Sequence, residues 1–120
     1  MQHSFEERFE QAMQLRQESK HQAARDKFIE LLREQPCSKI VLGMLSVCYF
    51  ELEEHELAVV YATQSVAVSP KSERASLVLF HSLWKTNRED EAFEEMRRFL
   101  ALTPSDAYDE LLKDINESSY

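Results

Sequence analysis

Apolar residues recur every three to four positions along almost the whole chain, in runs separated by short polar breaks. Phe5, Phe9, Ala12, Met13 and Leu15 form the first run, with the period of an amphipathic helix rather than the alternation of a strand. Ser4 opens this helix, and Glu7 three residues on has the spacing of a capping box, with its reciprocal hydrogen bonds. The break Glu18-Ser19-Lys20 ends the run, and Ser19 with Gln22 offers a second capping box. Ala24, Phe28, Leu31 and Leu32 then share one face of a second helix that stops at Gln35-Pro36. Proline cannot continue a helix and drives the residue before it out of the α region.

The pattern starts again after the proline. Ser38 is placed to cap a third helix over Ile40 to Leu52, apolar nearly all round with Glu51 its first acid; a helix of that kind is buried on most of its surface. Glu53-Glu54 marks a turn, and a fourth helix runs from His55 to Val68, closed by Ser69-Pro70. Ser72 caps a fifth, Glu73 to Lys85, and Thr86-Asn87-Arg88 is the next turn. A sixth runs from Glu89 to Leu102 and is closed by Thr103-Pro104. Ser105 caps a seventh, Asp106 to about Asn116, striped by Ala107, Tyr108, Leu111, Leu112 and Ile115.

The breaks keep time. Pro36, Pro70 and Pro104 stand 34 residues apart, and so do Ala24, Ala58 and Ala92, each 12 residues before its proline. Two residue types sharing one period and one phase make an internal repeat. On these residues the chain resembles the tetratricopeptide-repeat family, a 34-residue helix–turn–helix unit repeated in tandem. Repeats at 5–38, 39–72 and 73–106, with a capping helix over 106–117, make residues 1–120 one domain. The family's large residue on the first helix is met by Leu15, Tyr49 and Leu83, and its neighbouring leucine by Leu45 and Leu79. Phe28 and Met96 fill the position four after the alanine, where Ala62 departs, with Tyr61 beside it. The small residue of the first helix is Ala12 and Ser46 but Phe80 in repeat three, so that helix pair is expected to sit further apart. Arg8, Leu42 and Ser76 replace the family's opening tryptophan. The resemblance implies an all-α fold: a right-handed superhelix of three such units with a C-terminal capping helix, an α-solenoid.

Composition agrees with helix. One glycine and three prolines leave too few turn residues for a sheet protein. Net charge is −8, from 14 basic and 22 acidic residues, with no basic stripe to displace counterions from a nucleic acid; an anionic membrane surface would repel the chain as well. The acids of residues 105–120 read as a solubilising outer face, and the run Glu89-Asp90-Glu91 with Glu94-Glu95 reads as a solvated convex face at a helix start. Cys37 falls in a turn and Cys48 inside a helix, which suits reduced thiols in a cytoplasmic protein. The opening residues show neither a basic nor an apolar signal region, and no apolar run reaches the length of a membrane span.

No catalytic function is expected. His3, His21, His55 and His81 are dispersed, and His21 and His55 share one repeat position beside a turn, a structural pattern. Nucleophile–histidine pairs, paired carboxylates and phosphate-binding glycine loops are all missing, so neither cofactor nor metal is expected.

The resemblance instead implies a concave groove lined by the first helix of each repeat, where the family's peptide or helix ligands lie. The inward positions bring Phe9 and Met13 from repeat one, and Ile40, Gly43, Met44, Val47 and Phe50 from repeat two. Repeat three brings Arg74, Leu77, Val78, His81 and Trp84. Methionines adapt to varied partners, and aromatic rings anchor at low entropic cost. Gly43, the single glycine, would admit a ligand backbone closely. The rim carries Glu6, Glu10 and Glu51 against Arg16, Arg74 and Lys85. Some family members grip a C-terminal carboxylate with a clamp of Lys, Asn and Arg. Here its positions hold Phe9, Met13, Met44 and Val78, with Arg74 alone in keeping, so an acidic C-terminal peptide is not the expected ligand.

The expected function is therefore a non-enzymatic adaptor or chaperone that binds an apolar peptide or amphipathic helix of a protein partner. In type it is similar to the small tetratricopeptide chaperones of bacterial secretion systems. Two alternatives stand beside it: a homodimer whose groove is filled by another copy, and an acidic immunity protein that neutralises a toxin.

Overall fold

The computed structural model describes residues 3–118; Met1 and Gln2 of the stretch read for a signal peptide, and residues 119–120 at the acidic end, lie outside it. Seven helices follow in order: α1 (Phe5–Gln17), α2 (His21–Glu34), α3 (Lys39–Glu51), α4 (His55–Val68), α5 (Glu73–Lys85), α6 (Glu89–Leu102) and α7 (Asp106–Ser118). The described residues contain no strand. The predicted bounds of α4, α5 and α6 hold; α3 starts and ends one residue earlier than predicted, and α7 runs on past Asn116. Each helix from α2 to α6 packs on its predecessor, and α3 also touches α5. The resulting α-solenoid is elongated, 59 × 26 × 21 Å. Its radius of gyration of 15.3 Å exceeds the roughly 14 Å of a compact chain this long.

The turns inside the pairs are one device used three times. Ser19, Glu53 and Asn87, again spaced by 34, take left-handed backbone at φ 62°, 61° and 62°. The amide of Lys20 donates to Leu15 O at 2.9 Å and that of Ser19 to Arg16 O at 3.0 Å, the paired bonds of a Schellman motif. Glu53 and Glu54 repeat this on Phe50 and Tyr49, and Asn87 and Arg88 on Trp84 and Leu83. Ser19 therefore closes α1 and cannot cap α2: the cap residue is Lys20, with no side-chain bond, which corrects the second capping box. Between pairs the serines cap as expected, Ser38 accepting from the Val41 amide and Ser72 from the Ala75 amide. Ser4 accepts from the Glu7 amide at 3.1 Å, but the Glu7 carboxylate takes the Ser4 hydroxyl and His3 Nδ1 rather than the Ser4 amide.

Ala24, Ala58 and Ala92 are fully buried, as are Ala12 and Ser46 opposite them in the first two pairs. Helix backbones approach closely only where such side chains meet, and a larger one there costs about 1–3 kcal/mol. Two cores result. One gathers Ala12, Ala24, Phe28, Val41, Leu45 and Tyr49; the other gathers Val59, Leu79, Phe80, Met96, Phe99 and Tyr108. α4 gives Ala58 to the first and Val59 and Ala62 to the second, so it ties the repeats together. Phe80 is received by aromatic rings, stacked on Trp84 at 5.9 Å and edge-on to Phe93 at 6.1 Å and Tyr108 at 5.7 Å.

A polar chain fastens α7 to the third pair. The buried Ser76 hydroxyl donates to Glu95 Oε2 at 2.6 Å and therefore accepts from the Tyr108 hydroxyl, also at 2.6 Å. Arg98 holds the same carboxylate with two bonds, at 2.8 and 2.6 Å, and reaches Pro70 O at 2.9 Å. Ser105 caps α7 through the Tyr108 amide and donates to Glu73 at 2.7 Å. Burial pushes the Tyr108 phenol up to about 12, so it stays a donor across the neutral range. Glu95 is only 7% exposed and does not belong to the solvated run assigned from sequence. It lies three residues after Ala92 on the inner stripe of α6, while Glu91 and Glu94 point outward.

Two stability measurements follow from this geometry. Tyr108→Phe removes one link of the chain and should cost about 1 kcal/mol in urea unfolding. Ser19→Gly should raise stability by about 0.5–1 kcal/mol by relieving left-handed strain, and Asn87→Gly by less, because asparagine tolerates that region.

Candidate partner-binding groove

α3 and α5 are the first helices of the second and third pairs and lie side by side. A cleft of about 310 Å³ opens along them, lined by Phe50, Glu73, Arg74, Leu77, Val78 and His81. A second, of about 250 Å³, is bounded by Lys39, Ile40, Gly43 and Met44 of α3, Ser65 and Ser69 near the end of α4, and Ser72, Arg74 and Ala75. Arg74 borders both, so the two clefts form one stepped surface with a guanidinium at the step.

The predicted groove residues divide across this surface. Phe50, Arg74, Leu77, Val78 and His81 share the larger cleft; Ile40, Gly43 and Met44 share the smaller one with Arg74. Ile40 is 56% exposed, an apolar side chain standing on the rim. Met44 is 3% exposed and lies under Arg74, whose Nη1 is 3.5 Å from its sulfur. Val47 is half-buried and lines neither cleft. Phe9 and Met13 pack on the first core, Phe9 edge-on to Phe28 at 5.6 Å. Trp84 turns toward α6, stacked on Phe80 and edge-on to Phe93 at 5.7 Å. A Cβ on Gly43 would meet only Ser65 Oγ, at 3.7 Å, so packing within the chain does not demand glycine there.

Sequence reasoning missed Glu73, Lys39 and the serines of the smaller cleft. Glu73 and Lys39 are first residues of their helices, and Ser65 comes from a second helix, outside the first-helix positions searched.

Charge on the rim is partly spent inside the fold. Arg16 pairs with Glu51 at 2.7 Å, which joins the first two repeats, and His21 Nδ1 stands 3.8 Å from the same carboxylate. Arg74 and Lys85 have no carboxylate partner among the described residues. Phe50 lies 6.4 Å from His81 and Phe80 5.5 Å. Shielding of the His81 ring, and secondarily the Lys85 charge, lowers its pKa and keeps it neutral at pH 7. A neutral imidazole can both donate and accept a hydrogen bond. On another face, the cleft beside α6 holds Arg88, Glu91, Glu95 and Arg98 already matched as ion pairs, which leaves little for a ligand.

No family model and no curated protein matches the chain. Solved structures do. The first tetratricopeptide domain of Spaghetti (RPAP3), bound to the HSP90 peptide SRMEEVD, superposes with a TM-score of 0.82 at 19% identity, over 97% of this chain and 94% of that one. The Yersinia enterocolitica type III secretion chaperone SycD, in complex with a peptide of the translocator YopD, gives 0.80 at 16%, over 93% and 86%. MamA, in a double-mutant form, gives 0.78 at 19% over 84% of this chain, which spans 57% of the MamA chain. The chain therefore has the tetratricopeptide-repeat fold.

Chemistry at the remaining reactive groups is muted. No group of three His, Cys, Asp or Glu side chains among the described residues is placed to hold a metal ion, and no described helix is long and apolar enough to cross a membrane. Cys48 is buried, and desolvation, aided by Glu51, raises its thiol to about 11 from 9.0. A raised pKa favours the protonated fold, so that contribution is complete below pH 9 and is lost as pH climbs toward 11. Alkylation at pH 8, followed by mass spectrometry, should modify the exposed Cys37 and leave Cys48 untouched until denaturant is added.

Proposed function

We propose that the stepped groove of α3 and α5 binds an apolar segment of a protein partner, as a peptide or as an amphipathic helix, and that the protein works without catalysis as a small adaptor or chaperone. The larger cleft carries this reading. Phe50, Leu77 and Val78 wall it with apolar surface, and its volume of about 310 Å³ suits one or two large side chains. Arg74, without an acidic partner among the described residues, selects a segment that carries a carboxylate next to its apolar anchors. Ile40 on the rim and Gly43 beside it extend the contact along α3 toward the smaller cleft. Phe9, Met13, Val47 and Trp84 belong to the same reading as outlying first-helix positions of the groove; Phe9 and Met13 pack on the first core and Trp84 on the second.

The neighbours in fold support the reading in different degrees. SycD is seen with a peptide of its translocator and RPAP3 with the acidic HSP90 peptide. This chain has Phe9, Met13, Met44 and Val78 where an acidic terminus would need cations and amides. An apolar segment with an acid at Arg74 is the better match. The reduced thiols suit a cytoplasmic setting for this work.

The test places a photo-crosslinking side chain at His81, identifies what it captures, and measures affinity for that partner's segment. Met44 is too deeply buried to mutate cleanly, so Val78→Asp and Ile40→Asp serve as groove variants. Val78→Asp should weaken binding by at least about tenfold and Arg74→Ala by several-fold. The peptide SRMEEVD, used as a control, should not compete. Full affinity in both groove variants, or a captured partner that proves to be a second copy of the chain, would overturn the reading.

A further inference from the structure

In a chain with 22 acidic and 14 basic residues, a cleft lined by cations alone stands apart. The smaller cleft is bounded by Lys39 and Arg74 and by no Asp or Glu. Neither cation has a carboxylate partner among the described residues. Lys39 is the first residue of α3 and Arg74 the second of α5, so two helix dipoles bring their positive ends to the same place. The amides of Glu73 and Arg74 make no hydrogen bond among the described residues. Glu73 itself lines the larger cleft, and its carboxylate takes the Ser105 hydroxyl at 2.7 Å.

Helix ends and two cations would be ordinary surface without Ser65. That residue lines the cleft and is 2% exposed, yet its hydroxyl has no hydrogen-bond partner among the described residues. A buried hydroxyl without a partner costs free energy, so one that opens onto a cleft marks where a ligand atom belongs. Gly43, the single glycine, is what leaves it uncovered, since a Cβ there would stand 3.7 Å from Ser65 Oγ. Glycine inside a helix lowers stability, and neither a positive φ nor tight packing requires it here. Room above the Ser65 hydroxyl is the gain. The Ser69 hydroxyl, also on the cleft, is unbonded among the described residues, and Ser72 accepts from the Ala75 amide with its own proton left to donate.

We propose that the smaller cleft binds a phosphate group, with Arg74 and Lys39 matching its charge and Ser65 and Ser69 donating to its oxygens. A phosphate monoester carries about −1.5 to −2 charges at pH 7 and three acceptor oxygens. A single carboxylate would leave one of the two cations unmatched. A nucleic acid needs a row of cations, and this cleft offers two. The source of the phosphate rests on the groove reading above: it is a phosphoserine or phosphothreonine of the partner segment, which refines the acid at Arg74 from a carboxylate to a phosphate. Apolar residues beside it then reach Leu77 and Val78 across the step. The site itself stands without that reading, because none of its donors belongs to the apolar wall of the larger cleft.

Gly43 also supplies the test, because a single glycine gives one separate amide signal in a nitrogen–proton correlation spectrum of the full chain. Titration with inorganic phosphate to about 50 mM, at ionic strength held by sodium chloride, should move that signal saturably. Arg74→Ala should weaken binding at least about tenfold and Lys39→Ala about threefold. Gly43→Ala should raise the thermal midpoint, since alanine favours helix, and still weaken binding about fivefold by covering Ser65; here the Ser65 amide is followed. A capped peptide with two leucines beside a phosphoserine should bind at least about tenfold more tightly than inorganic phosphate. Val78→Asn should remove that gain and leave inorganic phosphate binding unchanged, so failure of the groove and failure of the phosphate site give different results. A peptide with no gain would keep the site and assign it a small phosphate ligand. No saturable shift below about 50 mM, binding indifferent to Arg74→Ala, or equal affinity for the same peptide with glutamate in place of phosphoserine would each overturn the proposal.

Discussion

The close crossing of paired helices at Ala24, Ala58 and Ala92 is the constraint on which the rest of the molecule depends. Each methyl group is fully buried, and each marks where two backbones come as near as side chains permit. With that distance set, a three-residue turn suffices to join the helices, and its geometry forces left-handed backbone at Ser19, Glu53 and Asn87. The prolines act at the other joint, ending each pair and leaving Ser38, Ser72 and Ser105 to start the next helix. A chain with one glycine can build the array because the turns draw their strain from elsewhere: two bonds to the helix end hold each left-handed residue in place.

A stack of pairs has to end somewhere, and here it ends on polar chemistry. Ser76 stands where the family would place tryptophan. Its small hydroxyl leaves room for the Tyr108 ring and links that ring to Glu95 and Arg98. Burying a carboxylate is costly unless it is fully bonded, and Glu95 is bonded on both oxygens. Phe80, the exception to the small-residue rule, finds its place in the same region, among Trp84, Phe93 and Tyr108. Two departures from the family pattern, Ser76 and Phe80, thus meet at the third pair and its cap, where Tyr108 touches both.

Much of this was legible in the chain because repeat proteins state their contacts locally. Helix ends, serine caps and the buried alanines follow from period and residue type alone. Where sequence and structure part, it is mostly because a position's partner lies on another helix. Glu95 reads as one more acid in an acidic run until Ser76 and Arg98 are seen across from it. Met44 and Trp84 count as groove residues by register, yet Arg74 covers one and Phe93 engages the other. Ser19 has the spacing of a cap, and only the tightness of the turn assigns it a different task. The stepped shape of the groove, with Arg74 between two clefts, depends on how α5 leans against α3, which no linear pattern records.

The residues that set the scaffold and those of the proposed recognition surface are therefore different ones. Alanines, prolines and left-handed turns position the helices, while Phe50, Arg74, Leu77, Val78 and His81 line the cleft proposed to meet a partner. The central claim is that recognition occurs on the faces of α3 and α5. Methyl-resolved nuclear magnetic resonance during titration with the identified partner segment tests it most directly. The groove account predicts that the shifts concentrate at Ile40, Leu77 and Val78 while the buried methyls of Ala24 and Ala92 stay still. Shifts that spare α3 and α5 and gather on the second helices would contradict it.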